Sequence, residues 1–182
     1  MLVLHGACTQ PGSTNPASKK IDAPSITQAD RNTTAMWGFD PAVDASWAVA
    51  QSFTVPEAGL SIAGLTMWVE TASGEGFTVE IHELLSEEQP FGTRLHTVQV
   101  DPLQIQPNRE WRIEITPPLP AKPKTAYSFV VLPQGRSSIQ LGLKNTNPYF
   151  GGRGFSFDPH PDRGWKAEDF DLTFTIELTS EA

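Results

Sequence analysis

The chain has 182 residues and a net charge of −8, with 13 lysines and arginines against 21 aspartates and glutamates. This length suits one domain that buries a sufficient core without disulfides, and the single cysteine, Cys8, excludes an intrachain disulfide. The acidic excess and the scattered basic residues argue against a nucleic-acid partner, because phosphate contacts need clustered positive charge.

The first eight residues, MLVLHGAC, look like the end of a bacterial lipoprotein signal, with apolar positions followed by small residues and a cysteine. On this interpretation Cys8 is lipidated and tethers an exported protein to a membrane. The alternative is an incidental cysteine at a frayed terminus, because the apolar stretch is short and His5 stands where an aliphatic residue is favoured. Residues 9–32 carry few large apolar groups to offset the entropy of ordering, so we predict a flexible linker there and one domain over 33–182.

Alternation of apolar and polar residues is the main structural signal of the chain. It recurs in eight short segments bounded by turn residues: 47–55, 60–70, 76–84, 94–100, 110–116, 125–132, 138–144 and 171–178. A period of two predicts half-buried antiparallel strands, which need two packed sheets or a closed barrel. We therefore predict an all-β fold, a two-sheet antiparallel β-sandwich of jelly-roll type with about eight strands.

Prolines interrupt this pattern after the fifth segment. A loop is predicted at Pro117, Pro118, Pro120 and Pro123, since proline lacks the N–H that a sheet ladder uses.

Several segments together resemble a broad group of exported bacterial β-sandwich domains, among them jelly-roll carbohydrate-binding modules. They are AQSFTV, LTMWV, FTVEIHEL followed by PFGTRL, then TAYSFVVL, NPYFGG and DLTFTI, spread over 47–178. The resemblance implies non-catalytic binding or surface display. It fixes no ligand and transfers no binding residue by position.

The segment 145–165 is rich in aromatic residues, glycine and proline, and it precedes the last strand. Sugar recognition uses flat rings against the apolar face of a sugar, with amide, carboxylate and guanidinium groups bonding its hydroxyls. The candidate binding residues here are Tyr149, Trp165, Asn147, Arg153 and Asp158. The alternative is that the rings cap the open end of the sandwich.

Two further sites rest on weaker patterns. Trp37 lies in a second aromatic cluster and is either a stacking platform or part of a segment tucked against the core. Asp169 and Asp171 are candidate oxygen ligands for a structural Ca²⁺ ion, with solvated turn aspartates as the alternative.

No enzymatic activity is predicted, because the sequence contains no nucleophile elbow, phosphate-binding loop or zinc-ligand spacing. Glu80 and His82 share a strand face, which we interpret as a charged solvent face beside Glu110, Arg112 and Glu114.

The function predicted from the sequence is that of a non-catalytic carbohydrate-binding module of an exported or cell-surface bacterial protein, with a polysaccharide or glycan as partner. The alternative is a structural or adhesive surface domain that contacts other surface proteins.

Overall fold

The computed structural model describes residues 24–87 and 89–180. These form fourteen strands and one short 3-10 helix, Pro102–Gln104. In chain order the strands are β1 Ser25–Gln28, β2 Thr33–Asp40, β3 Ala45–Ser46, β4 Ala48–Val55, β5 Leu60–Ser73, β6 Gly76–Glu83, β7 Arg94–Val100, β8 Arg109–Ala121, β9 Thr125–Gln134, β10 Ser138–Lys144, β11 Gly154–Asp158, β12 Gly164–Ala167, β13 Asp171–Leu172 and β14 Phe174–Ser180.

The strands form two antiparallel sheets packed face to face, so the all-β sandwich predicted from the sequence is confirmed. The eight-stranded sheet follows the order β1-β14-β5-β10-β2-β3, with β8 added to β5 and β13 to β10. The six-stranded sheet follows the order β12-β11-β4-β9-β6-β7. The jelly-roll connectivity stays a prediction.

One core fills the space between the sheets, because the alternating strands turn their apolar side chains toward each other. Phe53 and Phe129 from the six-stranded sheet and Ile62, Phe174 and Ile176 from the eight-stranded sheet are at most 2% exposed. Phe129 and Phe174 meet edge to face across the sheets, with ring centroids 5.5 Å apart. The inward alternation predicted for the final strand is therefore observed.

Fourteen strands rather than eight are present in the described residues, because five strands were not expected and the segment 171–178 contains two, β13 and β14. The eight predicted segments all contain strands, but β1, β2, β3, β11 and β12 were not expected. Strand β1 lies inside the predicted linker and pairs with β14, so the linker prediction is wrong for Ser25–Gln28. Residues 1–23, with Cys8 and the rest of the predicted linker, lie outside the described part of the chain.

Strand β8 continues through prolines that were predicted to form a loop. Pro117, Pro118 and Pro120 lie within it, and Pro123 follows it. Strand β8 pairs with β5 at the edge of the sheet. An edge strand tolerates proline because alternate N–H groups point away from its neighbour.

The outer face of the six-stranded sheet is covered rather than solvated, which corrects the solvent face predicted for Glu80 and His82. Glu80 is 7% exposed and His82 is 4% exposed. His82 Nε2 lies 2.9 Å from Glu80 Oε2, and Arg94 Nη1 donates to Glu80 Oε1 at 3.0 Å. The buried carboxylate is thus paired, as a charge under a protein layer must be.

The layer above this face is the covering loop, residues 84–87 and 89–93. Ser128 Oγ donates to the carbonyl of Pro90, and His82 Nδ1 lies 3.3 Å from the carbonyl oxygen of Gly92. The Phe91 ring meets the imidazole edge to face at 5.0 Å. These contacts fix the covering loop over the middle of the sheet.

No helix in residues 24–87 and 89–180 has the length and apolar character needed to cross a membrane.

Candidate functional site: a cleft at the rim of the six-stranded sheet

The aromatic segment between β10 and β11 is anchored by the carboxylate of Asp171, which is fully buried. Its Oδ2 accepts a hydrogen bond from the backbone N–H of Tyr149 at 2.8 Å, and its Oδ1 accepts one from Gln51 Nε2 at 2.8 Å. The Asn147 amide, oriented with its nitrogen toward the carboxylate, also donates, at 2.8 and 3.3 Å. Burial raises the pKa of Asp171, while the bonds from Tyr149 and Gln51 oppose the rise.

Tyr149 packs inward from this anchored segment. Its ring lies edge to face on Phe174 at 5.5 Å, and burial raises the pKa of its hydroxyl. The prediction of Tyr149 as a stacking platform is therefore not supported, because its ring is used in packing. The next residue, Phe150, points the other way, and its side chain is fully exposed at 103%.

Phe150 stands at the lip of a cleft of about 380 Å³, which we call the rim cleft. It lies between the covering loop and the segment 147–153, on the outer side of β4 and β9. The side chains that frame it include Thr54 and Ala126 below, Leu84 and Glu87 on one side, and Phe150 and Arg153 on the other.

Close backbone contact explains the glycine at position 152. A Cβ atom at this residue would lie 1.9 Å from the carbonyl oxygen of Ser52 on β4. Thr54 Oγ1 also donates to the carbonyl of Gly151 at 2.9 Å. The segment therefore lies flat against the sheet, and a fixed backbone presents Phe150.

Arg153 is the cation of the rim cleft. Its Nη2 lies 3.9 Å from Asp169 Oδ1, and its Nε is buried with no hydrogen-bond partner among the described residues. Glu87 on the opposite side is exposed. The cleft thus offers guanidinium donors, a carboxylate acceptor and an apolar ring.

Two predicted binding residues, Asp158 and Trp165, lie elsewhere, at an edge cavity of about 560 Å³ next to β12. Trp165 packs edge to face on Phe91 at 5.0 Å and tilted against Phe157 at 5.5 Å. The charged groups of this cavity are paired with one another, as Lys166 with Glu168 and Asp158 with Arg163. Its hydrogen-bonding capacity is therefore largely used within the protein.

The Asp158 carboxylate orders the turn between β11 and β12. It accepts hydrogen bonds from Arg163 Nη1 at 2.8 Å and from the backbone N–H of His160 at 3.0 Å. Desolvation raises the pKa of Asp158, but these hydrogen bonds outweigh that effect and lower the pKa to about 2.

This low pKa gives a pH-dependent contribution to stability. Since it lies below the ordinary value of 3.8, ionised Asp158 stabilises the fold above pH 3.8, and the contribution is lost as the pH falls through 2. We expect Asp158→Asn to lower Tm at neutral pH, with the difference from the unmodified protein shrinking between pH 4 and pH 2. Thermal melts followed by circular dichroism measure this. Asp162→Asn, at an exposed position of the same turn, is the control. A difference that stays constant over that pH range would contradict the assignment.

Trp37 is 5% exposed on β2 and packs against Phe170, with ring centroids 5.9 Å apart. It belongs to the core, which agrees with the alternative of a segment tucked against the core and gives no support to a stacking platform. The rim cleft brings together Asn147 and Arg153 of the predicted residues. It adds Phe150 and Glu87, which the sequence prediction did not select.

The structure gives no support to the predicted calcium ligands. Asp169 has a fully exposed side chain, whereas the Asp171 oxygens face hydrogen-bond donors rather than other carboxylates. In the part of the chain that the structure describes, no three His, Cys, Asp or Glu side chains group as metal ligands.

The chain matches no protein-family model and no curated protein sequence.

Two solved structures are similar to it. The first is the crystal structure of the cysteine protease and lectin-like domains of Cwp84, a surface layer associated protein of Clostridium difficile. Its TM-score is 0.50 and its sequence identity 10%, and the match covers 82% of this chain and 36% of that one. The second is a variant of the clostridial cysteine protease Cwp84 after propeptide cleavage, with a TM-score of 0.56 and 12% identity over 88% of this chain and 41% of that one. The chain spans less than half the length of these structures, and the similarity covers the lectin-like part. At these identities the likeness shows the fold alone, a β-sandwich shared with that lectin-like domain.

Proposed function

We propose that this chain is a non-catalytic glycan-binding domain of an exported bacterial surface protein, and that the rim cleft holds the glycan. The observation that carries this proposal is the fully exposed ring of Phe150 at the lip of that cleft. The ring has no packing role, and it borders a cleft that combines apolar lining with a few polar groups, as ligand sites do.

The chemistry around the ring suits a sugar. An aromatic face packs against the C–H groups of a pyranose, while hydroxyls need both donors and acceptors close by. Arg153 supplies donors and Glu87 supplies an acceptor on the opposite side. The fold supports the same class, because the similar solved structure contains a lectin-like domain.

The anchoring of the segment also favours binding. Asp171 and the contact at Gly152 fix the backbone before a ligand arrives, so little conformational entropy is lost on association.

Phe150→Ala is expected to weaken glycan retention at least about tenfold, equal to about 1.4 kcal/mol of binding free energy. The measurement is affinity electrophoresis on gels containing soluble polysaccharides, chosen from a glycan array probed with the unmodified protein. Leu103→Ala is the matched control, because Leu103 is an equally isolated, 92% exposed apolar residue on the short 3-10 helix. Binding that survives Phe150→Ala undiminished, or an array without any bound glycan, would refute the proposal.

The second candidate is an adhesive domain that contacts another surface protein. Leu85 on the covering loop is 65% exposed, and it lies in sequence between Leu84 and Glu87, which line the same cleft. A protein partner would use both apolar side chains, so Leu85→Ala would weaken its capture as strongly as Phe150→Ala. A glycan held by Phe150 and Arg153 would be released by the Phe150 change alone.

A further inference from the structure

A second cavity lies on the outer face of the eight-stranded sheet, on the side of the sandwich away from the rim cleft. Its volume is about 230 Å³, and strands β5, β8 and β14 form its floor. Trp68 and Thr66 of β5 face outward here, because Leu65, Met67 and Val69 fill the core on the inner side. We call it the Trp68 cavity.

Arg31 and Trp68 form one stacked unit at this cavity. The guanidinium carbon lies 3.6 Å from the centre of the indole ring, which is close cation–π contact. The pair lies over Gly142, where a Cβ atom would approach Arg31 Cδ to 2.6 Å and Trp68 Cδ1 to 2.9 Å. Glycine is thus needed at this position for space, so that both side chains can lie flat on the sheet.

The stacked pair carries hydrogen-bond donors that the protein does not use. Trp68 Nε1 is buried and has no acceptor among the described residues. Within the same part of the chain, the Arg31 guanidinium makes its contact with the indole and no ion pair or hydrogen bond. A buried donor without an acceptor is costly, and such groups in a folded protein call for an explanation.

Acceptors and hydroxyls line the rest of the cavity. Thr27 and Thr175 share a hydrogen bond between their hydroxyl groups at 3.2 Å, and Glu110 contributes a carboxylate. Glu110 disfavours a bare anion, yet it can accept hydrogen bonds from hydroxyl groups. Glu110 lies on β8 directly across from Trp68 on β5. The cavity therefore combines donors with hydroxyl and carboxylate oxygens.

We propose that the Trp68 cavity is a second ligand site, selective for an acidic sugar residue of the uronate class. The sugar carboxylate accepts hydrogen bonds from Arg31, which is the exposed donor of the pair, and the ring hydroxyls contact the threonines and Glu110. Because Arg31 covers one face of the indole, recognition in the Trp68 cavity depends on hydrogen bonds and charge. Recognition at the rim cleft depends instead on stacking against Phe150.

The test is a titration of the ¹⁵N-labelled protein followed by the indole N–H signal of Trp68, which Trp68→Phe identifies by its loss. Glucuronate and galacturonate are the probes, glucose is the neutral control and acetate is the carboxylate without hydroxyls. We expect a saturable shift of this signal with one or both uronates, a response at least tenfold weaker with acetate, and none with glucose. Unchanged signals with both uronates would overturn the proposal. If acetate bound as tightly as the uronates, the cavity would hold an adventitious ion only, and the proposal would also be overturned.

Arg31→Gln is expected to weaken the uronate response at least tenfold. Arg136→Gln is the matched control, because that guanidinium also lies over a ring, Phe39, at 5.4 Å but outside the cavity. Equal responses of the two variants would refute the role of Arg31. Phe150→Ala is expected to leave the Trp68 signal response intact, so this site and the rim cleft can fail separately.

Discussion

Replacing Phe129 with alanine is expected to lower the free energy of unfolding by about 3–5 kcal/mol. The ring is fully buried on β9, a central strand with β4 on one side and β6 on the other. Its partner across the sandwich, Phe174, belongs to the opposite sheet. Because both neighbours of β9 are held by ladder hydrogen bonds, the sheet cannot collapse into the space left by the ring. Urea unfolding monitored by tryptophan fluorescence measures the loss.

Phe150→Ala provides the control, because it removes the same atoms from a fully exposed position. We expect that change to alter the free energy of unfolding by less than about 0.5 kcal/mol. A loss below about 1 kcal/mol for Phe129→Ala would mean that the two sheets do not pack around this ring.

Asp171→Ala is expected to destabilise the protein by about 2–4 kcal/mol and to abolish binding at the rim cleft as well. The substitution leaves Gln51 Nε2 and the backbone N–H of Tyr149 without their acceptor in a buried site. Without that anchor, the segment that presents Phe150 is no longer fixed on β4. Urea unfolding measures the first effect, and affinity electrophoresis at a temperature where the variant remains folded measures the second.

Asp169→Ala is the matched control, since that carboxylate is fully exposed two residues away. It is expected to change stability by less than about 0.5 kcal/mol. Equal losses for the two variants would show that Asp171 does not act through its buried hydrogen bonds.

The sandwich could be predicted from the sequence because apolar and polar residues alternate along each strand, and the apolar ones are those whose side chains enter the core. The eight alternating segments all contain strands, and Phe174 and Ile176 point inward as expected. Strand β2 was missed because its sequence, TTAMWGFD, does not alternate cleanly, and β1 because a four-residue strand of mostly polar composition resembles a tether. Their pairing partners, β10 and β14, are distant in sequence and supply the missing stabilisation.

The polar pair Glu80 and His82 shows why polarity alone did not predict exposure. A polar side chain can be buried if every donor and acceptor finds a partner, and here the partners come from Arg94 and from the covering loop. The position of that loop depends on contacts of Pro90 and Phe91 that no periodic pattern encodes.

The candidate site was predicted in part. The segment 145–165 does supply Asn147 and Arg153 to the rim cleft, but its aromatic residues are divided between packing and exposure. Tyr149 and Phe150 are neighbours of similar character, and sequence gives no rule for which ring turns inward outside a regular strand. In the structure Tyr149 is the ring that turns inward, because it makes an edge-to-face contact with Phe174.

The covering loop limits the shape of the glycan that the proposed site could hold. Many β-sandwich surfaces are open along the strands, so that an extended polymer can run across them. Here Pro90, Phe91 and the adjoining Trp165 obstruct that path over the six-stranded sheet. Access is left at the margin, where a terminal unit or a short branch can enter while the body of the polymer stays outside.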